Sequence, residues 1–149
     1  MQHDAHPGHR RDAAADHAEV DRLTTRLGLW LDDKRLDEIS TVFAEDASVQ
    51  TAGGTAQGRD AIAAQAARTH GGGLTQHFIT DRLIDVDGDH ATVSANMLVV
   101  FDRPEGRRLV GERYRLDTVR TPHGWRVRHV QARVLWADPA PDAPAGTAS

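Results

Sequence analysis

From Leu74 to Trp136 the sequence consists of long alternating runs cut by turn signals, and this half of the chain decides the fold. The runs cover about residues 74–86, 91–102, 107–120 and 125–136, joined at Asp87-Gly88, Pro104-Glu105-Gly106 and Pro122-His123-Gly124. Glycine tolerates the positive φ of a tight turn and proline pre-sets its first corner, so each joint reverses the chain. Consecutive reversals predict an antiparallel meander. Before Leu74 the period changes. Val20, Leu23, Leu27 and Trp30 or Leu31 recur at three- and four-residue steps, which predicts one amphipathic helix from about Ala13 to Leu31. Leu36, Ile39, Val42 and Phe43 repeat that spacing in a short second helix. A brief strand over about Ala47 to Thr51 ends at Gly53-Gly54, and an Ala-rich third helix spans Arg59 to Thr69 before Gly71-Gly72-Gly73. Helices first and a meander afterwards give an α+β fold, with the helices packed on one face of a curved sheet.

A chain of 149 residues is the size of one domain with a real core. We place that domain at residues 13–136 and read residues 1–12 and 137–149 as disordered tails. The first is polar, and the second, ADPAPDAPAGTAS, is rich in Pro and Ala without apolar periodicity. His3, His6 and His9 in the first tail lack a scaffold that would make them a metal site. A net charge of −4 supplies no basic field for nucleic acid. No run is long and apolar enough for a membrane span, and the first twenty residues lack the apolar stretch of a signal peptide. A cytoplasmic location is therefore expected. With no cysteine there is no disulfide or thiolate chemistry. The sequence has no G-x-S-x-G elbow, no H-E-x-x-H or comparable metal spacing, and no G-x-G-x-x-G before a helix. Lys34 lies at a polar helix end, which argues against a Schiff base. Neither cofactor nor metal is expected.

Four stretches of the chain, WLDDKRLDEISTVFAEDASV, GRDAIAAQ, TQHFITDRLIDVDGDHATVSAN and GERYRLDTVRTPHGWRV, occur in an order that resembles the SnoaL-like group of the nuclear transport factor 2 superfamily. The likeness runs from about Val20 to Trp136. It implies a cone-shaped, curved antiparallel sheet wrapped around the N-terminal helices and enclosing a pocket. Within the superfamily the chain is most similar to the scytalone dehydratase-like branch. There an Asp at the end of the first helix and a His in a Gln-His-Phe strand form an acid–base pair, and these positions fall on Asp32 and His77. A Ser and an Asn two apart on the following strand match Ser94 and Asn96. The chain departs from that branch where the pattern has two tyrosines that hold a water, since Leu31 and, by ungapped counting, Thr51 stand there. The nearest candidate for a second family histidine is His70.

The chemistry of these residues agrees with that implication. Histidine titrates near neutrality, so small shifts poise it as acid or base. A carboxylate such as Asp32 orients its tautomer and stabilises the imidazolium. Asn96 offers an amide donor to a carbonyl or enolate oxygen, and Ser94 a weaker hydroxyl. Such a set suits proton shuttling beside a carbonyl: enolisation, β-elimination or aldol-type ring closure. A two-residue Asp87-Gly88 turn pairs His77 with Leu98 and Ile79 with Asn96, which puts His77, Ser94 and Asn96 on one face. Counting through Thr121 to Gly124 sets Tyr114 with Trp125 and Val127. Counting across the Pro104 turn sets it with Ala95 and Met97, opposite Asn96, so one β-bulge is expected.

Every one of these residues also has a plain reading. His77, Ser94 and Asn96 suit an ordinary strand, Asp32 beside Asp33 suits a polar helix end, and Tyr114 suits the core. Two functions from different classes follow. One is a cofactor-independent dehydratase, isomerase or cyclase acting on a polyketide- or steroid-like carbonyl compound, with Tyr114, Thr51 and His70 also lining the pocket. The other is a non-catalytic ligand-binding or dimerisation module. An epoxide hydrolase-like set would draw on Asp81, Arg113 and Asp117, which offer the residue types without the motif. Apolar residues on both faces of the strands, Val93, Met97, Val99 and Phe101 opposite Leu98 and Val100, predict a homodimer through the outer face of the sheet.

Overall fold

The computed structural model describes residues 8–140. The readings on residues 1–7 and 141–149 lie outside the described residues, as does the side chain of His9. Helix α1 (Gly8–Asp32) begins inside the stretch read as an N-terminal tail. The second helix of the sequence reading is a 3-10 segment, Leu36–Thr41. Next come β1 (Phe43–Thr51), β2 (Gly54–Gln57) and α2 (Arg59–His70). The meander is β3 (Leu74–Asp87), β4 (His90–Arg103), β5 (Gly106–Thr121) and β6 (Gly124–Asp138). β6 thus runs two residues into the presumed C-terminal tail, and β2 has no counterpart in the sequence reading.

The strands form one sheet in the order β2-β1-β6-β5-β4-β3. It is not wholly antiparallel, as expected from the sequence, because β1 lies parallel to β6. The helical connection through α2 allows this, since only a long crossover can bring two strands into one sheet side by side in parallel. The expected helical stripe is buried: Val20, Leu23, Leu27 and Trp30 face the sheet, with Thr24 donating to the Val20 carbonyl at 2.9 Å. Phe43, Leu116, Trp125 and Val127 are among the most deeply buried side chains of the core. The Asp16 carboxylate accepts from Trp125 Nε1 at 3.1 Å and from Arg120, tying α1 to β5 and β6.

Two local irregularities place the site. Lys34 adopts φ +54° just past α1; its amide donates to the Leu31 carbonyl at 3.3 Å and that of Arg35 to the Trp30 carbonyl at 3.1 Å. This paired closure ends the helix and leaves Asp32 in its last turn. The second irregularity is a bulge in β3 between Thr80 and Leu83, where Asp81 takes φ +54°. The β3–β4 hairpin pairs Asp87 with His90, so its turn is Gly88-Asp89, and Leu83 opposes Ser94. Beyond the bulge the parity flips, and His77 opposes Val99 while Thr80 opposes Asn96. One bulge is therefore present, as expected, but it brings His77 rather than Asn96 onto the face of Tyr114. It moves His77 to the inward face of Met97, Val99 and Tyr114, and leaves Ser94 and Asn96 facing outward.

Candidate functional site

Asp32 meets β3 with both carboxylate oxygens. Oδ2 accepts from the His77 backbone amide at 2.8 Å, and Oδ1 accepts from Thr75 Oγ1 at 3.1 Å and lies 2.5 Å from His77 Nδ1. A carboxylate only accepts, so Nδ1 carries the proton of this contact, and in the neutral ring Nε2 keeps the lone pair. Burial works to raise the Asp32 carboxyl, but hydrogen bonds from the His77 ring and backbone outweigh it, helped by the imidazole charge and Thr75, and hold it below its ordinary value. The His77 side chain is 1% exposed and that of Asp32 15%. The contact expected across 45 residues of sequence is thus direct.

His77 lines a cavity of about 390 Å³ between α2 and the meander, while Asp32 sits behind the ring. Leu31, Met97, Val99, Phe101, Ala132 and Val134 supply apolar wall. The expected neighbours Tyr114, Thr51 and His70 all line it. Thr51 Oγ1 accepts from Gln65 Nε2 at 2.9 Å and from the Gly53 amide at 3.1 Å, so what remains to a ligand is its own O–H. A side chain at Gly53 would collide with Thr69 Cγ2 at 2.7 Å, which explains why the hairpin passes so close beneath α2. The His70 ring centroid lies 5.0 Å from that of His77 and 5.8 Å from Phe101. Burial, then the neighbouring His77 charge, push His70 down to about 4, so it is neutral at physiological pH. Its Nδ1 lies 2.7 Å from Thr69 Oγ1. Tyr114 is buried, and burial followed by the Glu112 charge drives its hydroxyl upward, which keeps it a proton-bearing donor.

Ser94 and Asn96 do not line this cavity, which corrects their expected role as ligand contacts. The bulge at Asp81 turns their strand positions outward relative to His77, and Asn96 Nδ2 is spent on Asp81 Oδ2 at 3.0 Å. Nor does the Asp81, Arg113 and Asp117 set line it: Arg113 opposes Asn96 on the outer face, and Asp117 opposes His129 with Arg115 at 3.5 Å. Sequence reasoning missed Glu112. It shares the inward parity of Tyr114 and Leu116, and GERYRLDT carries that signal as the one acidic residue in step with the tyrosine. Burial raises the Glu112 carboxyl, and the His77 charge opposes that rise. Behind the main cavity a recess of about 60 Å³ is lined by Trp30 and Gln65, whose Nε1 and Oε1 have no partner. Among the described residues no group of three His, Asp or Glu side chains is arranged to hold a metal.

A bent sheet closed by helices over a pocket with a part-buried carboxylate–imidazole pair defines a cone-fold pocket protein. The chain belongs to the SnoaL-like domain family, whose model matches residues 12–131. No curated protein matches it in sequence. Solved structures carry the same fold. A hexachlorocyclohexane dehydrochlorinase (LinA), type 2, superposes with TM-score 0.79 at 19% identity, covering 92% of this chain and 99% of that one. A candidate scytalone dehydratase from Novosphingobium aromaticivorans gives 0.76 at 20% identity, covering 92% and 97%. A nuclear transport factor 2-like protein with a cystatin-like fold from the same organism gives 0.74 at 26% identity, covering 97% and 94%.

Proposed function

We propose that this protein is a cofactor-independent enzyme doing acid–base chemistry of the dehydratase, isomerase or cyclase kind on an apolar carbonyl compound. The observation that carries the reading is the part-buried Asp32–His77 pair, whose imidazole borders a cavity. Burying a carboxylate at the negative end of a helix dipole is costly unless it serves an interaction, and here it fixes one histidine tautomer. His77 Nε2 removes a proton from the carbon next to the ligand carbonyl, and Asp32 stabilises the imidazolium that forms. The Tyr114 hydroxyl donates to the enolate oxygen. Glu112, whose protonated form burial favours, returns a proton to a departing hydroxyl or to carbon. The names of the LinA and scytalone dehydratase-type neighbours denote eliminations, which supports this class of reaction.

The test is a panel of aromatic and alicyclic β-hydroxy ketones followed by absorbance of the conjugated product. Wild type converts at least one, and His77→Ala lowers kcat/KM about 10²- to 10⁴-fold in a protein that still folds. Full activity in a folded His77→Ala protein moves the reading to a binding module. We also propose that the chain forms a homodimer through the outer face of its sheet. That face exposes Phe78, opposite Leu98, and Trp136, which is 49% exposed and packs over Gly111.

A further inference from the structure

The rim of the His77 cavity carries charge of one sign. Arg68 on α2, Arg103 at the end of β4 and Arg108 near the start of β5 all border it. None of the three has a carboxylate partner among the described residues, whereas Arg35, Arg82, Arg107, Arg115, Arg120 and Arg128 each have one. Exposed arginines are common in this chain, and what sets these three apart is that they converge on one cavity. Two larger surface depressions mix signs: Asp21, Arg26, Asp33 and Arg35 in one, Asp46, Asp117 and Arg128 in the other. The chain as a whole has net charge −4, so an all-cationic rim runs against its bulk charge. Glu112 is the one carboxyl in the cavity lining. Burial favours its neutral form, which weakens any competition with an incoming anion.

One of the three guanidiniums is held in place. Arg103 Nη2 donates to the Thr69 carbonyl at 3.2 Å, and its guanidinium carbon lies 5.1 Å from the centroid of the Phe101 ring. Its remaining N–H groups have no hydrogen-bond partner among the described residues. Arg108 comes from the residue paired with Phe101 across the strand, so the two arginines flank one aromatic wall. A planar fork of donors matches the two oxygens of a carboxylate, and a cleft lined by one sign of charge concentrates ions of the other.

We propose that the ligand of this cavity carries a carboxylate, gripped at the rim by Arg103 and Arg108, with its apolar body against Met97, Val99 and Phe101. Only the further statement that its reacting carbonyl then faces His77 rests on the catalytic reading above. The test uses matched probes, 2-naphthoate against 2-naphthamide and 3-phenylpropanoate against its amide, titrated into the full chain by calorimetry. The acids bind about tenfold or more tighter than their amides, and the difference shrinks with added salt. In the double variant Arg103→Gln/Arg108→Gln the acid-to-amide ratio falls toward one, whereas it persists in Arg35→Gln/Arg128→Gln. Equal binding of acid and amide, an unchanged ratio in the rim variant, or no acid binding at all overturns the proposal. An acid preference in a protein whose His77→Ala variant turns over fully would sink the catalytic reading and leave this one standing.

Discussion

Asp32 sits where a carboxylate is unwelcome, in the last turn of α1 with the helix carbonyls pointing toward it. The Thr75 hydroxyl and the His77 amide and ring compensate it. Its lowered pKa means the unfolded state binds a proton more readily, so its contribution to stability is present above the ordinary carboxylate value of 3.8 and is lost as pH falls through the lower folded value. Glu112 has the opposite sign. Its folded pKa is raised above 4.5, so stability is fully present below that value and is lost as the buried carboxyl ionises at higher pH. Glu112→Gln is therefore expected to raise Tm at neutral pH, to leave it unchanged near pH 4, and to lower turnover. A melting series across that range checks the first two outcomes. His70, neutral in the fold and held at about 4, costs stability as pH falls from its ordinary 6.5 toward that value. His70→Asn should flatten the acid limb of the stability profile over that interval, read by urea denaturation.

At the scale of elements, the chain stop after α1 and the bulge in β3 do the positioning, and both use non-glycine residues at positive φ. Lys34→Gly relieves a left-handed backbone that costs a side-chain residue about 1 kcal/mol. We expect a gain of up to about that size in denaturant unfolding, offset in part by glycine's greater freedom in the unfolded chain. These two features also mark where the sequence stopped being readable. Helix periodicity and turn dipeptides located α1, α2 and the four meander strands because burial repeats at 3.6 and 2 residues. The Gln-His-Phe strand and the helix-end Asp located the pair. Pairing parity did not follow, because a single extra residue at Asp81 carries no compositional mark and reverses every side chain beyond it. Ser94 and Asn96 were lost to the outer face for that reason, and Glu112 was overlooked. The short β2 was missed because GTAQ has little apolar signal, and its pairing with β1 comes from the Gly53-Gly54 reversal.

For the whole molecule the sheet has two unlike faces. The inner one is covered by α1 and α2 and holds the cavity; the outer one exposes Phe78 and Trp136, with Leu83 at 71% exposure toward the β3 edge. Light scattering on the purified chain at micromolar concentration should give twice the chain mass of 16.3 kDa, and Phe78→Glu/Trp136→Glu should return it to one. A monomeric wild type contradicts the proposed interface but leaves the cavity untouched, since no residue of the outer patch reaches His77.

The proposed chemistry depends most on the state of one ring. Nitrogen-15 spectra of the His77 imidazole at neutral pH, recorded on the free protein, report which nitrogen bears the proton without needing a substrate. The Asp32 contact predicts a protonated Nδ1 and a pyridine-type Nε2 facing the cavity, with that preference weakened in Asp32→Asn. A neutral ring protonated at Nε2, with its lone pair at Nδ1, would leave no base in the cavity and would contradict the proposed chemistry at its first step.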